Sequence, residues 1–138
     1  MSIEANKALV ERYYHELVTG QRIELLEELV AEDAADESRV GAGGTGTRED
    51  FREHLRWLWE NVRDVKATVQ DLVAEDDRVI AFWRIEGVHV GPIFGVPATG
   101  RHFTGFSIST LTIRDGQVTR YSVLPDRLGI VQQLVPTA

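Results

Sequence analysis

At 138 residues, 43% hydrophobic and 27% charged, the chain has the size and composition of one ordinary globular domain with a real core. Its formal charge of -7 argues against nucleic acid and anionic membrane as partners, since both need a basic footprint. The absence of cysteine excludes disulfides, thiolate nucleophiles and Cys-ligated zinc.

The first segment, IEANKALVERYYHELV, places Leu9, Val10, Tyr13, Tyr14, Leu17 and Val18 at helical spacing, with Gly20 as a stop. It is charged and amphipathic, with no apolar signal core. No run in the chain approaches the ~20 apolar residues of a membrane span, so a cytoplasmic location is expected. RIELLEELVAED predicts a second, shorter helix with Leu25, Leu26 and Leu29 inward. From Ala34 to Gly46 the pattern dissolves into a flexible loop. Thr47 followed by Asp50 resembles a capping box and opens a third helix, with Phe51, Leu55, Leu58, Trp59 and Val62 on one face.

After Arg63 the period changes to alternation. VKATVQDLVAE and RVIAFWRIEGVHV predict two strands joined at Asp76 and Asp77. RHFTGFSISTLTI and QVTRYSVL predict two more, joined at an Asp-Gly turn. Helices followed by about four antiparallel strands are α+β organisation, read as a single domain over 1–138. A strongly twisted sheet can curl around one helix and enclose a pocket. The run GVHVGPIFGVPATGR, residues 87–101, sets Ile93, Phe94 and Val96 among glycines and prolines. It is suited to covering the open end of such a pocket.

Three stretches together resemble the SnoaL-like polyketide cyclases of the nuclear-transport-factor-2-like superfamily, which also holds ketosteroid isomerases and limonene epoxide hydrolases. They are NKALVERYYHELVTGQRIELLEELVAED, DLVAEDDRVIAFWRIEGVHVGPIFGVPATGR and IRDGQVTRYSVLPDRLGIVQQL. The most specific parts are the G-x-H-x-G-x-x-x-G-x-P-x-T-G-R loop and the closing D-R-L-G-I-x-x-Q-L. The resemblance implies a cone-shaped α+β barrel with the N-terminal helices packed in a curved antiparallel sheet. It implies a homodimer packed through the outer sheet face. It also implies ring closure on a hydrophobic, polyketide-like small molecule, with no cofactor and no metal. In that chemistry a carboxylate-type base removes a proton beside a carbonyl, and nearby donors hold the enolate oxygen.

The chain departs from the family's pattern at two histidine positions. Where the family often has D-[FY]-x-x-H, the chain reads DAADE, which puts Glu37 in the histidine's place. The third strand reads GFSIST where a second histidine is expected. The register of the family's catalytic aspartate lies between Ser122 and Asp126. Asp126 is the first-choice acid/base, with helix capping as its structural alternative. His89 and Glu37 are possible helpers. His89 is either a donor or base at the rim, or a loop-shaping residue bonded to backbone. Tyr14 is either an enolate donor or a core aromatic. Trp59, Arg84, Phe94, His102 and Phe106 complete the expected substrate contacts. Arg84 and Glu86 share one strand face and are a solvent-side pair if Trp83 and Ile85 point inward. They resemble part of the limonene epoxide hydrolase triad, which Ser122 or Val123 leaves incomplete. His15 and His54 fall on predicted helices among charged neighbours and are expected to be solvated. The scattered histidines suggest no metal site. A non-catalytic binding protein, or a related hydroxylase or epoxide hydrolase, are the other readings. Each catalytic reading requires an acid in the hollow.

Overall fold

The computed structural model describes residues 2–39 and 43–135. Helix α1 (Ile3–Arg12) starts at Ser2, whose hydroxyl accepts the Ala5 N–H at 3.0 Å. It continues without a break into a π-helical segment (Tyr13–Thr19) that closes on Gly20. Such wide turns recur at functional sites. Tyr13 and Tyr14 are adjacent, yet both are buried because the protein packs around the helix on two sides. Tyr13 meets Tyr121 with ring centroids 5.9 Å apart, and Tyr14 meets Trp83 at 4.7 Å.

The second helix is shorter than its leucine pattern predicts. A 3-10 turn (Ile23–Leu25) leads into α2 (Leu26–Leu29), and Val30–Asp36 is then strand β1, not helix and loop. Its backbone pairs in parallel with Val118–Tyr121 of β5. Buried Val30, Ala34 and Asp36 face the interior. Tertiary pairing thus overrides local propensity. A 3-10 turn follows (Glu37–Arg39).

Helix α3 (Arg48–Asn61) is capped by Thr47, as expected. The predicted capping box is altered. Asp50 reaches beyond the cap to the N–H groups of Thr45 and Gly46, both at 2.8 Å. Burial works against its ionisation, but these hydrogen bonds win and hold its carboxyl below the usual range. Phe51 and Leu55 are buried beneath α3.

Strands β2 (Val62–Glu75), β3 (Arg78–His89), β4 (His102–Arg114) and β5 (Gln117–Pro125) form an antiparallel meander. With β1 the sheet order is β1-β5-β4-β3-β2. The β4–β5 turn has positive φ at Asp115 and Gly116, the geometry the Asp-Gly pair favours. Alternation decides the faces. Val79, Ala81, Trp83 and Ile85 of β3 point inward and are buried. Ile80, Phe82, Arg84 and Glu86 point outward. Fully buried Leu17, Leu26, Leu29 and Leu111 fill the space between the helices and the sheet. Each contributes about 1.5–3 kcal/mol by leaving water. Helix α4 (Arg127–Leu134) closes the chain over β4, where Ile130 lies above Gly105. A side chain at position 105 would strike Ile130 at 2.5 Å. No helix of the described residues is long and apolar enough to cross a membrane.

Candidate active site

Between the first helical segment, α3, the inner face of β3–β5 and α4 lies a cavity of about 290 Å³. That is at the lower edge of small-molecule pockets. Its wall is largely apolar, with Val18, Leu55, Val62, Trp83, Ile85 and Phe103 prominent. Ile93 and Phe94 cover one side, as the glycine-rich run predicts. An Ile93–Val96 bridge ties the tip of that run, which turns through Phe94 and Gly95 at positive φ.

Polar groups enter the wall at few points. His54, on α3, lines the cavity and is the main correction to the sequence reading, which treats it as solvated. Its Nδ1 is 2.8 Å from Oδ2 of Asp36, which lies at the end of β1 and is only 1% exposed. The other Asp36 oxygen accepts from the backbone N–H and the hydroxyl of Ser38. A carboxylate so engaged acts as an acceptor. The His54 Nδ1 is therefore an N–H, and in the neutral ring Nε2 carries the lone pair. Sequence reasoning missed this pair because Asp36 sits in a segment without a helical pattern. The acidic cluster DAADE was the only signal, and its buried member is the one before Glu37.

All three tyrosines of the chain, Tyr13, Tyr14 and Tyr121, line the same cavity, and the Tyr121 ring meets His54 edge-on with centroids 6.3 Å apart. The Trp83 indole N–H donates to Ser109 Oγ at 2.8 Å, and Ser109 donates in turn to the Tyr121 hydroxyl at 3.5 Å. An indole N–H can only donate, so this chain directs the Tyr121 proton onward. The Tyr14 hydroxyl lies beside Ser109 and Tyr121 and is buried without a well-formed hydrogen bond. Burial, with a lesser contribution from the neighbouring tyrosine, raises Tyr14 well above the ordinary tyrosine range. Burial raises Tyr13 likewise and pushes Tyr121 up to about 12. All three therefore act as neutral donors.

Of the expected site residues, Tyr14 and Phe94 line this cavity. Asp126 does not. Its carboxylate accepts the Gly129 N–H at 3.0 Å and caps α4 from the exposed side, so the structural alternative is the observed one. Glu37 is exposed and pairs with Arg120 at 3.1 Å, one residue beyond the inward-facing Asp36. His89 is fully buried outside the lining. Its Nδ1 accepts the Thr99 N–H at 3.2 Å and sits 2.9 Å from the Thr99 hydroxyl, so it fixes the far end of the cover. Gly87, two residues before it, has no room for a side chain: a Cβ would collide with Val62. Trp59 half-buries its ring and donates to the Val18 carbonyl at 3.0 Å, while Trp57 lines the cavity in its place. Arg84 lies on the outer sheet face, 3.7 Å from Glu86. His102 and Phe106 also point outward, because inward positions on β4 are the odd ones.

No carboxylate lines the cavity among the described residues. The acid expected in the hollow is instead Asp36, which lies behind the cavity-lining His54. No group of three or more His, Cys, Asp or Glu is placed to hold a metal ion among the described residues.

The model of the SnoaL-like polyketide cyclases matches residues 8–134. The chain belongs to that family. An 88-residue stretch is 46% identical to the aklanonic acid methyl ester cyclase DnrD of Streptomyces peucetius. The match covers 62% of this chain and spans about 60% of that relative's length. Among solved structures, TsrD from Streptomyces laurentii superposes with a TM-score of 0.83 at 26% identity, covering 97% of each chain. A SnoaL-like polyketide cyclase from Agrobacterium tumefaciens gives 0.82 at 15% identity, over 94% of this chain and 98% of the other, and supports the fold alone. The curved sheet wrapped on its N-terminal helices is therefore the family's nuclear-transport-factor-2-like fold.

Proposed function

We propose that this family member is a cofactor-independent enzyme of the polyketide cyclase type. On this reading it acts on a hydrophobic, planar small molecule by proton abstraction and aldol-type ring closure or isomerisation. The observation that carries the reading is the Asp36–His54 pair opening on an apolar cavity that tyrosines also line. His54 Nε2 takes the proton beside a substrate carbonyl, and Asp36 holds the ring and stabilises the imidazolium that forms. The enolate oxygen is held by the Tyr14 and Tyr121 hydroxyls, which are donors already fixed in a water-poor site. The reaction then returns the proton from His54 to the alkoxide that ring closure creates. The named activity of DnrD, cyclisation of a methyl ester, supports the substrate class.

Incubation with a panel of aromatic polyketide esters, read by mass spectrometry, tests this. A cyclised or isomerised product that disappears in His54→Gln is expected. Recovery of every bound ligand unaltered would instead support a binding protein of the same fold, a reading favoured by the lack of a carboxylate in the cavity wall.

The outer sheet face supports a homodimer as the working state. Phe82, Phe106, Ile108 and Leu124 are 36%, 53%, 44% and 72% exposed there, on adjacent strands. Such a contiguous apolar surface on a chain this small marks a protein contact.

A further inference from the structure

The sign of charge inverts at the cavity. The chain carries 22 acidic residues and a net charge of -7, yet among the described residues no acidic one lines the cavity and two arginines, Arg39 and Arg127, do. They come from separate elements, the turn after β1 and the first residue of α4. Arg39 spends one terminal nitrogen on Glu53, 3.1 Å away, while its Nε is buried without a hydrogen-bond partner among the described residues. Arg127 forms no salt bridge among the described residues. Its guanidinium lies 5.3 Å above the Phe94 ring, so the cover itself holds it beside the opening. Asp126, its neighbour, is occupied by the cap. Cations gathered on a low-dielectric wall focus their field into it, and guanidinium groups match oxyanions geometrically.

We propose that Arg39 and Arg127 bind an anionic oxygen, a carboxylate or an ionised phenol, on the substrate's aromatic skeleton. The substrate then lies with its acidic group at the arginines and its uncharged rings against Trp83, Ile85 and Phe103. This rests on the cavity being the substrate site, and it narrows the substrate class to acidic aromatics.

The test is a set of dissociation constants read from quenching of tryptophan emission, since Trp57 and Trp83 line the cavity. One probe pair is an anthraquinone carboxylate and its methyl ester. The other is a hydroxyanthraquinone, above its own pKa, and its methyl ether. The anion of at least one pair should bind about tenfold more tightly than its neutral partner, with the preference shrinking at high salt. The pair that shows it identifies the acidic group. Arg127→Gln, at an exposed side chain, should reduce the preference. Arg39→Gln with Arg127→Gln should abolish it and leave ester or ether affinity within about twofold. Equal affinities within both pairs, or a preference that survives in the double variant, would overturn the proposal. Failure of every probe to bind would overturn it together with the cavity's role. An anion preference without turnover would sink only the cyclase reading.

Discussion

Asp36 and His54 stand 18 residues apart in the chain and meet at 2.8 Å, one at the end of β1 and the other in the middle of α3. The carboxylate is buried and fully engaged, while the imidazole reaches the cavity. On the proposed mechanism, His54 supplies the reactivity and Asp36 the orientation of the ring.

His54→Gln should therefore lower turnover by about 10²–10⁴ with ligand affinity nearly intact. Asp36→Asn offers an amide N–H where His54 needs an acceptor, so it should favour the wrong tautomer. Turnover should fall while the thermal midpoint shows the fold retained. Steady-state kinetics beside direct binding measurements separate the two effects. Wild-type kcat in His54→Gln would remove the imidazole from the mechanism.

Asp126 should behave as a cap. Asp126→Ala is expected to cost about 1 kcal/mol of stability, and Asp126→Asn close to nothing, because asparagine caps as well as aspartate. Neither should reduce kcat by more than the change in folded fraction. Denaturant unfolding and kinetics on the same samples check both statements, and a large kcat loss in the Asn variant would restore Asp126 to catalysis.

The tyrosines make a spectroscopic prediction, because the chain has three and all are in the site. In the unfolded chain each ionises near pH 10. Folded, Tyr121 does so only near about 12, and Tyr13 and Tyr14 are also raised well above 10. A raised folded pKa means that stability is complete below pH 10 and falls as pH rises through the window up to the folded values. Ultraviolet titration should show little tyrosinate until the protein unfolds. A full tyrosine step near pH 10 in folded protein would contradict the buried cluster.

His89 should matter to the cover more than to chemistry. His89→Ala leaves the Thr99 N–H without its acceptor and opens a hole beside Phe103, for a loss of about 1–3 kcal/mol. Proteolysis within residues 90–101 should accelerate. An activity loss with no change in stability or cleavage would point instead to direct catalysis.

A charge on the outer sheet should separate assembly from folding. Phe106→Glu is expected to yield a folded species of half the wild-type mass in light scattering, with its circular dichroism unchanged. Wild-type protein that is already monomeric would refute the dimer.

Much of this molecule follows from one-dimensional patterns. The alternation around Trp83 and Ile85 sorts β3 into two faces, with Arg84 and Glu86 together on one, although which face turns inward is left open. Asp115-Gly116 fixes the last hairpin, and the glycine-rich run announces a cover. These are local: each depends on residues a few positions apart, where the two-residue period of a strand or the φ preference of a turn acts directly. Trp59 against Trp57, or Phe106 against Phe103, needed one further fact, the face each element turns inward.

Which polar side chains meet at the cavity was decided elsewhere. β1 has a single partner in the sheet, β5, and that pairing aims Asp36 inward and Glu37 outward. Only when the sheet curls against α3 does His54 find this carboxylate, and only then do Arg39 and Arg127 line one cavity. Contacts between distant segments depend on how the whole surface closes, and no spacing along the chain encodes that distance.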